Sequence, residues 1–96
     1  MWILRTVTTT DAEQTFRILP GGIRTIGRAT GADFIIDAAL VSRMHCRLRA
    51  EADALYVEDL ESTNGVMVNG APVKNATLQP NDILTIGRVD FEVTLA

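Results

Sequence analysis

The sequence predicts an all-β domain, a β-sandwich of two mostly antiparallel, twisted sheets. Three observations lead to this prediction. Short runs of β-branched and aromatic residues recur along the chain, no stretch keeps the 3.6-residue apolar period of a long helix, and turn-forming residues separate the runs. With 96 residues, 47% of them hydrophobic and 22% charged, the chain is expected to form one globular domain over residues 1–96.

Nine segments have the composition of a short strand. They are residues 2–8, 15–19, 23–26, 34–36, 45–49, 55–58, 66–68, 83–86 and 91–95. Glycine, proline and asparagine punctuate the gaps between them, as expected for turns. One gap has a specific signature. Asn69-Gly70, between residues 66–68 and 72–73, predicts a two-residue type I′ hairpin, because both central residues of that turn need positive φ.

Residues 45–49 alternate in polarity, which predicts the buried face of their strand. His45, Arg47 and Arg49 fall on one face, whereas Cys46 and Leu48 fall on the other. We therefore expect Cys46 to be a thiol of the core. It is the only cysteine, so it cannot form an intrachain disulfide, and this favours a reducing compartment.

The overall composition excludes several classes of function. The net charge of −3 argues against a non-specific nucleic-acid binder, whose surface is usually basic. No long apolar run and no signal-peptide pattern are present, so we expect no membrane insertion and an intracellular, cytoplasmic location (nuclear in a eukaryote). A single histidine and a single cysteine are too few for a typical metal site, and no cofactor is implied.

The basic residues are clustered within this acidic chain. Five of the nine lie between residues 24 and 49: Arg24, Arg28, Arg43, Arg47 and Arg49. A local arginine cluster on an acidic protein suits a discrete anionic group better than a long polyanion. An ordinary surface of mixed charge explains this pattern equally well. The choice between the two interpretations therefore rests on the sequence motifs.

Three motifs lie at the ends of predicted strands. They are Gly27-Arg28, Ser42-Arg43-Met44-His45 and Ser62-Thr63-Asn64-Gly65. We therefore expect the loops of residues 27–32, 38–43 and 60–65 to converge at one rim of the sandwich. Together they supply a guanidinium, hydroxyls, an amide side chain and backbone N–H groups next to glycine, which is the inventory of an anion site.

At these motifs the chain resembles the forkhead-associated (FHA) domain, a family that binds phosphothreonine in partner proteins. The family pattern of Gly-Arg, Ser-x-x-His and Ser/Thr-x-Asn-Gly is matched in order and spacing, and the resemblance extends over about residues 3–95. It implies an FHA/SMAD-like sandwich and a non-catalytic phosphopeptide-binding module. The implied partner is a phosphothreonine-containing protein in a pathway with a Ser/Thr kinase upstream.

The resemblance assigns roles by position. Contact with the phosphate falls to Arg28, Ser42 and Thr63. Contact with the peptide falls to Arg43, Asn64 and Leu40. Three residues are expected to support the structure of the loops. Gly27 would allow a sharp turn of the chain at Arg28, and Gly65 would permit the turn after Asn64. His45 would hydrogen-bond to the loops from inside.

The chain also departs from the family pattern. Glu61 stands where the family often has glycine, and Val66-Met67 follow where a threonine and an aromatic residue are common. The Glu61 carboxylate would either weaken phosphate binding or select a basic residue on the partner. Leu40 occupies a position that in some relatives selects the third residue beyond the phosphothreonine, and an apolar side chain there favours an apolar partner residue.

Simpler interpretations stand beside these assignments. Arg28 could be an ordinary surface arginine, Ser42 a loop brace, and Thr63 with Asn64 only turn formers. The tetrapeptide Thr-Ile-Gly-Arg at residues 25–28 recurs at residues 85–88, but no Ser-x-x-His follows Arg88, which favours a solvated side chain.

An enzyme and a scaffold are the two other classes of function. A catalytic triad could be assembled from Ser42, His45 and Asp59 by residue type alone. The sequence contains neither the Gly-x-Ser-x-Gly motif of a nucleophile elbow nor a P-loop. We therefore predict no enzyme activity. The alternative to phosphopeptide binding is a phosphate-independent FHA-like scaffold or oligomerisation domain. Phosphate dependence of binding separates the two.

Overall fold

The computed structural model describes residues 1–7 and 13–96, so residue 8 of the first predicted strand lies outside the described residues. Within these ranges the chain forms eleven strands and no helix. The strands are β1 (Trp2–Thr6), β2 (Thr15–Ile18), β3 (Ile23–Gly27), β4 (Phe34–Ile35), β5 (Cys46–Ala50), β6 (Leu55–Asp59), β7 (Val66–Val68), β8 (Ala71–Val73), β9 (Asn75–Leu78), β10 (Ile83–Ile86) and β11 (Val89–Leu95).

The strands form two sheets, which confirms the predicted sandwich. The six-stranded sheet has the order β2-β1-β11-β10-β7-β8, and the five-stranded sheet has the order β4-β3-β5-β6-β9. The pairing of β3 with β4 is parallel, and the other strand pairs described are antiparallel. The described residues contain no helix of the length and hydropathy needed to span a bilayer.

The turn between β7 and β8 is the predicted hairpin. Val68 pairs with Ala71, which leaves Asn69 and Gly70 as the two loop residues. Their φ angles of 51° and 84° are both positive. This confirms the type I′ turn, in which both central residues adopt the left-handed conformation that asparagine and glycine tolerate best.

Two strands, β8 and β9, were not among the nine predicted segments. Each hydrogen-bonds to a single neighbour, β8 to β7 and β9 to β6. Pro72, Lys74 and Asn75 in and between them are residues more typical of turns and exposed edges than of strand interiors. The Asn69-Gly70 turn predicts the pairing of β8 with β7. The pairing of β9 with β6 has no such signal and overrides a weak local preference.

The core lies between the sheets and extends up to the rim. The side chains of Cys46 and Leu48 are fully buried, as the alternation predicted, and Arg47 and Arg49 are exposed. His45 is also fully buried, so the alternation was wrong in placing it on one face with Arg47 and Arg49, whereas the resemblance implied an inward-facing side chain. The reason is that β5 begins at Cys46, and His45 lies in the preceding loop where the strict alternation does not yet apply.

Candidate functional site

The structure brings the three predicted loops together by direct hydrogen bonds. We call them the Arg28 loop (residues 27–32), the Ser42 loop (residues 38–43) and the Asn64 loop (residues 60–65). The backbone N–H of Arg28 donates to the Ser42 carbonyl at 2.9 Å. The backbone N–H of Thr63 donates to the Ser42 hydroxyl at 3.0 Å. The Ser42 loop is therefore held between the other two.

Gly27 ends β3 beneath the Ser42 loop. A Cβ built on Gly27 would lie 1.9 Å from the carbonyl oxygen of Arg43, which is far inside van der Waals contact. Gly27 is not among the residues with positive φ. The structure thus gives a different reason for this glycine from the one expected, because the backbone of the Ser42 loop fills the space that a side chain would need.

The Arg28 side chain is anchored at one atom and otherwise open. Its Nε donates to the carbonyl oxygen of Val41 at 3.1 Å, and the residue is exposed. Within the described parts of the chain, neither terminal nitrogen of Arg28 forms a hydrogen bond or ion pair. The guanidinium is held in orientation through Nε, so its Nη groups are available for two oxygens of an anion.

Ser42 follows Val41, whose carbonyl anchors the Arg28 guanidinium, and it presents a hydroxyl at the same rim. Its Oγ accepts the N–H of Thr63, which leaves the hydroxyl hydrogen free to donate to a ligand. Ser42 is half-buried, and Thr63 is exposed. A hydrogen-bond donor on a fixed oxygen beside an anchored arginine suits an anionic oxygen better than a cation or an apolar group.

His45 braces two of the loops from inside. The Ser42 N–H donates to His45 Nδ1 at 3.0 Å, and His45 Nε2 lies 2.7 Å from the carbonyl oxygen of Gly65. These partners require the neutral imidazole with its hydrogen on Nε2. Both ring nitrogens are occupied and neither contacts Ser42 Oγ, so the arrangement is not that of a serine–histidine nucleophile.

Asp59 braces the Asn64 loop, a role that sequence reasoning missed. Its Oδ1 accepts the Ser62 N–H at 3.1 Å, and Ser62 Oγ accepts the Gly65 N–H at 2.9 Å. The Asp59 side chain is 1% exposed, and its Oδ2 lies 3.6 Å from Lys74 Nζ. The available signal was an aspartate three residues before a serine, the spacing of a local side-chain-to-backbone turn.

The charge on Asp59 is maintained despite its burial. Burial by itself raises the pKa of Asp59, but the hydrogen bonds from Ser62 and the positive charge of Lys74 outweigh it. The pKa of Asp59 is therefore below its ordinary value, and the carboxylate is ionised near neutral pH. By contrast, burial and the nearby Asp59 charge raise the pKa of the Cys46 thiol, so Cys46 is inert as a nucleophile.

The residues that the resemblance assigns to the peptide lie on the same loops as Ser42 and Thr63. Asn64 Nδ2 donates to the Leu40 carbonyl oxygen at 2.9 Å. Its Oδ1 and second N–H remain for a peptide backbone. Leu40 is half-buried, and the Arg43 side chain is exposed while its carbonyl accepts the Ala29 N–H at 3.1 Å. All the predicted site residues therefore meet at one rim.

The residues of the three loops carry a small net positive charge. The charged residues of the three loops are Arg28, Arg43 and Glu61, so two positive charges and one negative charge give +1, on a chain of net −3. Glu61 is exposed, and its φ is 56°. A residue with a side chain is strained in this left-handed conformation, at a cost of roughly 1–2 kcal/mol.

Replacing Glu61 separates strain from charge. Glu61→Ala removes the carboxylate only, whereas Glu61→Gly removes the carboxylate and relieves the strained φ. We expect Glu61→Gly to be more stable than Glu61→Ala by about 0.5–1 kcal/mol, since glycine's larger loss of backbone entropy offsets part of the relief. Urea unfolding measures this difference. If the two variants were equally stable, or the glycine variant less stable, the backbone at residue 61 would not be strained.

Fold and site together describe a β-sandwich whose loops present, at one rim, hydrogen-bond donors that are unpaired within the described residues. The FHA domain family model matches residues 24–87, which carry all three motifs. The chain therefore belongs to the FHA-domain family, whose members are binding modules.

A curated relative and two solved structures illustrate the similarity. The chain is 42% identical over 72 residues, 75% of its length, to the ABC transporter ATP-binding/permease protein Rv1747 of Mycobacterium tuberculosis. It matches the FHA domain of CT664 from Chlamydia trachomatis with a TM-score of 0.92 at 23% identity, over 99% of this chain and 97% of that one. A domain from a structural and functional analysis of phosphothreonine-dependent FHA domain interactions matches with a TM-score of 0.85 at 29% identity, over 99% and 96%.

The curated relatives are longer proteins. The matched region makes up 8% of Rv1747, and in two further relatives from Mycobacterium tuberculosis it makes up 14% and 44%. The similarity therefore concerns only one part of each relative.

Proposed function

We propose that this domain binds phosphothreonine in a partner protein and thereby localises that partner, or its own parent protein, to the product of a Ser/Thr kinase. The observation that carries the proposal is that hydrogen bonds link Ser42 to both Arg28 and Thr63. Two free Nη groups and a free hydroxyl hydrogen lie on side chains whose other atoms are fixed by hydrogen bonds.

The chemistry of phosphate fits these donors. A phosphothreonine carries about −1.5 to −2 charges near neutral pH and three strong acceptor oxygens. Each hydrogen bond to a charged group contributes roughly 1.5–3 kcal/mol. In this proposal Arg28, Ser42 and Thr63 bind the phosphate. Because the donors are already oriented, little of this free energy is spent on ordering the site.

The peptide contacts fix the partner's backbone beside the phosphate. Asn64 binds the extended backbone through its free Oδ1 and N–H, and Arg43 and Leu40 contact neighbouring side chains. Gly27, His45 and Gly65 support the loops. Gly65 has a φ of 78°, the left-handed conformation that lets the chain turn directly after Asn64.

The phosphothreonine-dependent interactions of the 29%-identical domain support this function. Preference for threonine over serine requires contact with one methyl group, worth about 0.8 kcal/mol by its area. In this proposal the module acts inside the cell, where kinases and their products meet, and it has no catalytic role.

Phosphate dependence of binding tests the proposal. Degenerate peptide pools centred on phosphothreonine, phosphoserine or unmodified threonine are titrated into the wild-type domain in a calorimeter. We expect heat from the phosphothreonine pool, less from the phosphoserine pool and none from the unmodified pool. Equal binding of the phosphorylated and unmodified pools would support the phosphate-independent scaffold instead. Glu61 would then be the first residue to replace, to find out whether its carboxylate prevents phosphate binding.

A further inference from the structure

The turn between β10 and β11 lies against the Ser42 loop. Ile86 pairs with Val89, so Gly87 and Arg88 are the two turn residues. Gly87 has a φ of 63°, as the first central residue of a type II′ hairpin requires. A Cβ built on Gly87 would lie 3.1 Å from the carbonyl carbon and from the carbonyl oxygen of Leu40. Arg88 therefore follows a residue that touches the Ser42 loop.

The backbone of residues 40 and 41 connects this turn to the binding site. The Leu40 carbonyl accepts the Asn64 side chain, and the Val41 carbonyl accepts Arg28 Nε. A Cβ built on Gly87 would meet the same Leu40 carbonyl and would lie 3.2 Å from Cγ2 of Val41. Arg88 is thus next to the peptide-contacting part of the rim, on the side of Leu40.

The second Thr-Ile-Gly-Arg segment therefore has a place at the site. Residues 25–28 and residues 85–88 each end at the Ser42 loop, with Gly27 against the backbone of Arg43 and Gly87 against the backbone of Leu40. Both glycines make room for that loop. The arginine that follows each glycine is exposed.

The Arg88 guanidinium is open to a ligand. Three other exposed arginines, Arg5, Arg47 and Arg49, form ion pairs with glutamates. Among the residues that the structure describes, no acidic side chain pairs with Arg88. A guanidinium with this freedom can form two hydrogen bonds to a carboxylate.

We infer that Arg88 is a specificity-determining residue that selects an acidic side chain on the flank of the phosphopeptide that passes Leu40. This inference rests on the proposed function and adds a partner preference to it. The contact is solvent-exposed, so its effect on affinity is modest, about two- to fivefold, and it weakens as salt is added. Arg28 supplies the phosphate contact, and Arg88 discriminates among phosphorylated partners.

The test uses a degenerate phosphothreonine peptide library with four randomised positions on each side of the phosphothreonine. The library is captured by immobilised wild type, Arg88→Glu and Arg17→Glu, and the retained peptides are sequenced. Arg17 is an exposed arginine on the edge strand β2, so Arg17→Glu makes the same change in net charge away from the site.

We expect the wild type and Arg17→Glu to enrich Asp and Glu over Lys and Arg about two- to fivefold at one flanking position. Arg88→Glu should lose that enrichment and favour basic residues there, while still requiring the phosphate. Phosphate-dependent capture without an acidic preference, or a preference unchanged in Arg88→Glu, would overturn the role of Arg88 alone. Failure of the wild type to retain the phosphothreonine library would overturn the proposed function and this inference together.

Discussion

Arg28→Ala is expected to lower the affinity for a phosphothreonine peptide by at least about 100-fold, since two hydrogen bonds to a charged group contribute roughly 3–6 kcal/mol. The two Nη groups of Arg28 form no hydrogen bond within the described residues, so both are free to bind phosphate oxygens. The fold should be retained, because the side chain is exposed and its anchor is a single hydrogen bond from Nε to Val41. Calorimetry measures the affinity, and urea unfolding measures the stability.

Two matched variants make the result specific. Arg28→Lys keeps the charge but loses the planar pair of donors, so its affinity should fall between those of the wild type and Arg28→Ala. Arg17→Ala removes an arginine from β2 and should bind like the wild type. If Arg28→Ala bound the phosphothreonine peptide as tightly as the wild type does, Arg28 would not be the phosphate ligand.

Gly27→Ala is expected to cause the second large loss. The added Cβ would lie 1.9 Å from the Arg43 carbonyl oxygen, which belongs to the backbone and cannot rotate away. The Ser42 loop must move, and the hydrogen bonds that the Arg28 and Ala29 N–H groups donate to it are disturbed. We expect a loss of stability of about 1–3 kcal/mol or more, together with a large loss of phosphopeptide affinity.

Gly31 in the same loop provides the control. A Cβ at Gly31 meets no atom within 4 Å, and its φ is not in the left-handed region. Gly31→Ala should therefore be neutral or stabilise the domain by about 0.4–1 kcal/mol, because it reduces the entropy of the unfolded chain. Similar stabilities of Gly27→Ala and Gly31→Ala would show that the close approach of the Ser42 loop does not constrain Gly27.

Much of the fold follows from local patterns. The alternation of residues 46–49 and the Asn69-Gly70 turn each specify local geometry, because side-chain direction and positive φ are properties of a few neighbouring residues. The edge strand β9 lacks this local signal. Its pairing with β6 is a tertiary contact that Lys74 and Asn75 do not predict.

The sequence predicted which residues form the site, but it could not predict the contacts between their loops. The motifs place Arg28, Ser42 and Asn64 on loops, and the resemblance assigns their roles. The reasons for Gly27 and Gly87 depend on where the Ser42 loop passes, which involves residues distant along the chain. The sequence predicted Arg88 as a solvated side chain, and it is exposed, but the close approach of its turn to Leu40 could not be predicted.

The most direct test of the central claim is the calorimetric titration of the wild-type domain with matched phosphothreonine and unmodified threonine peptide pools. Binding that appears only with the phosphorylated pool is the predicted result, because the donors of Arg28 and Ser42 have an anionic partner only there. Equal binding of both pools, or no binding of either, would contradict the assignment of this domain as a phosphothreonine-binding module.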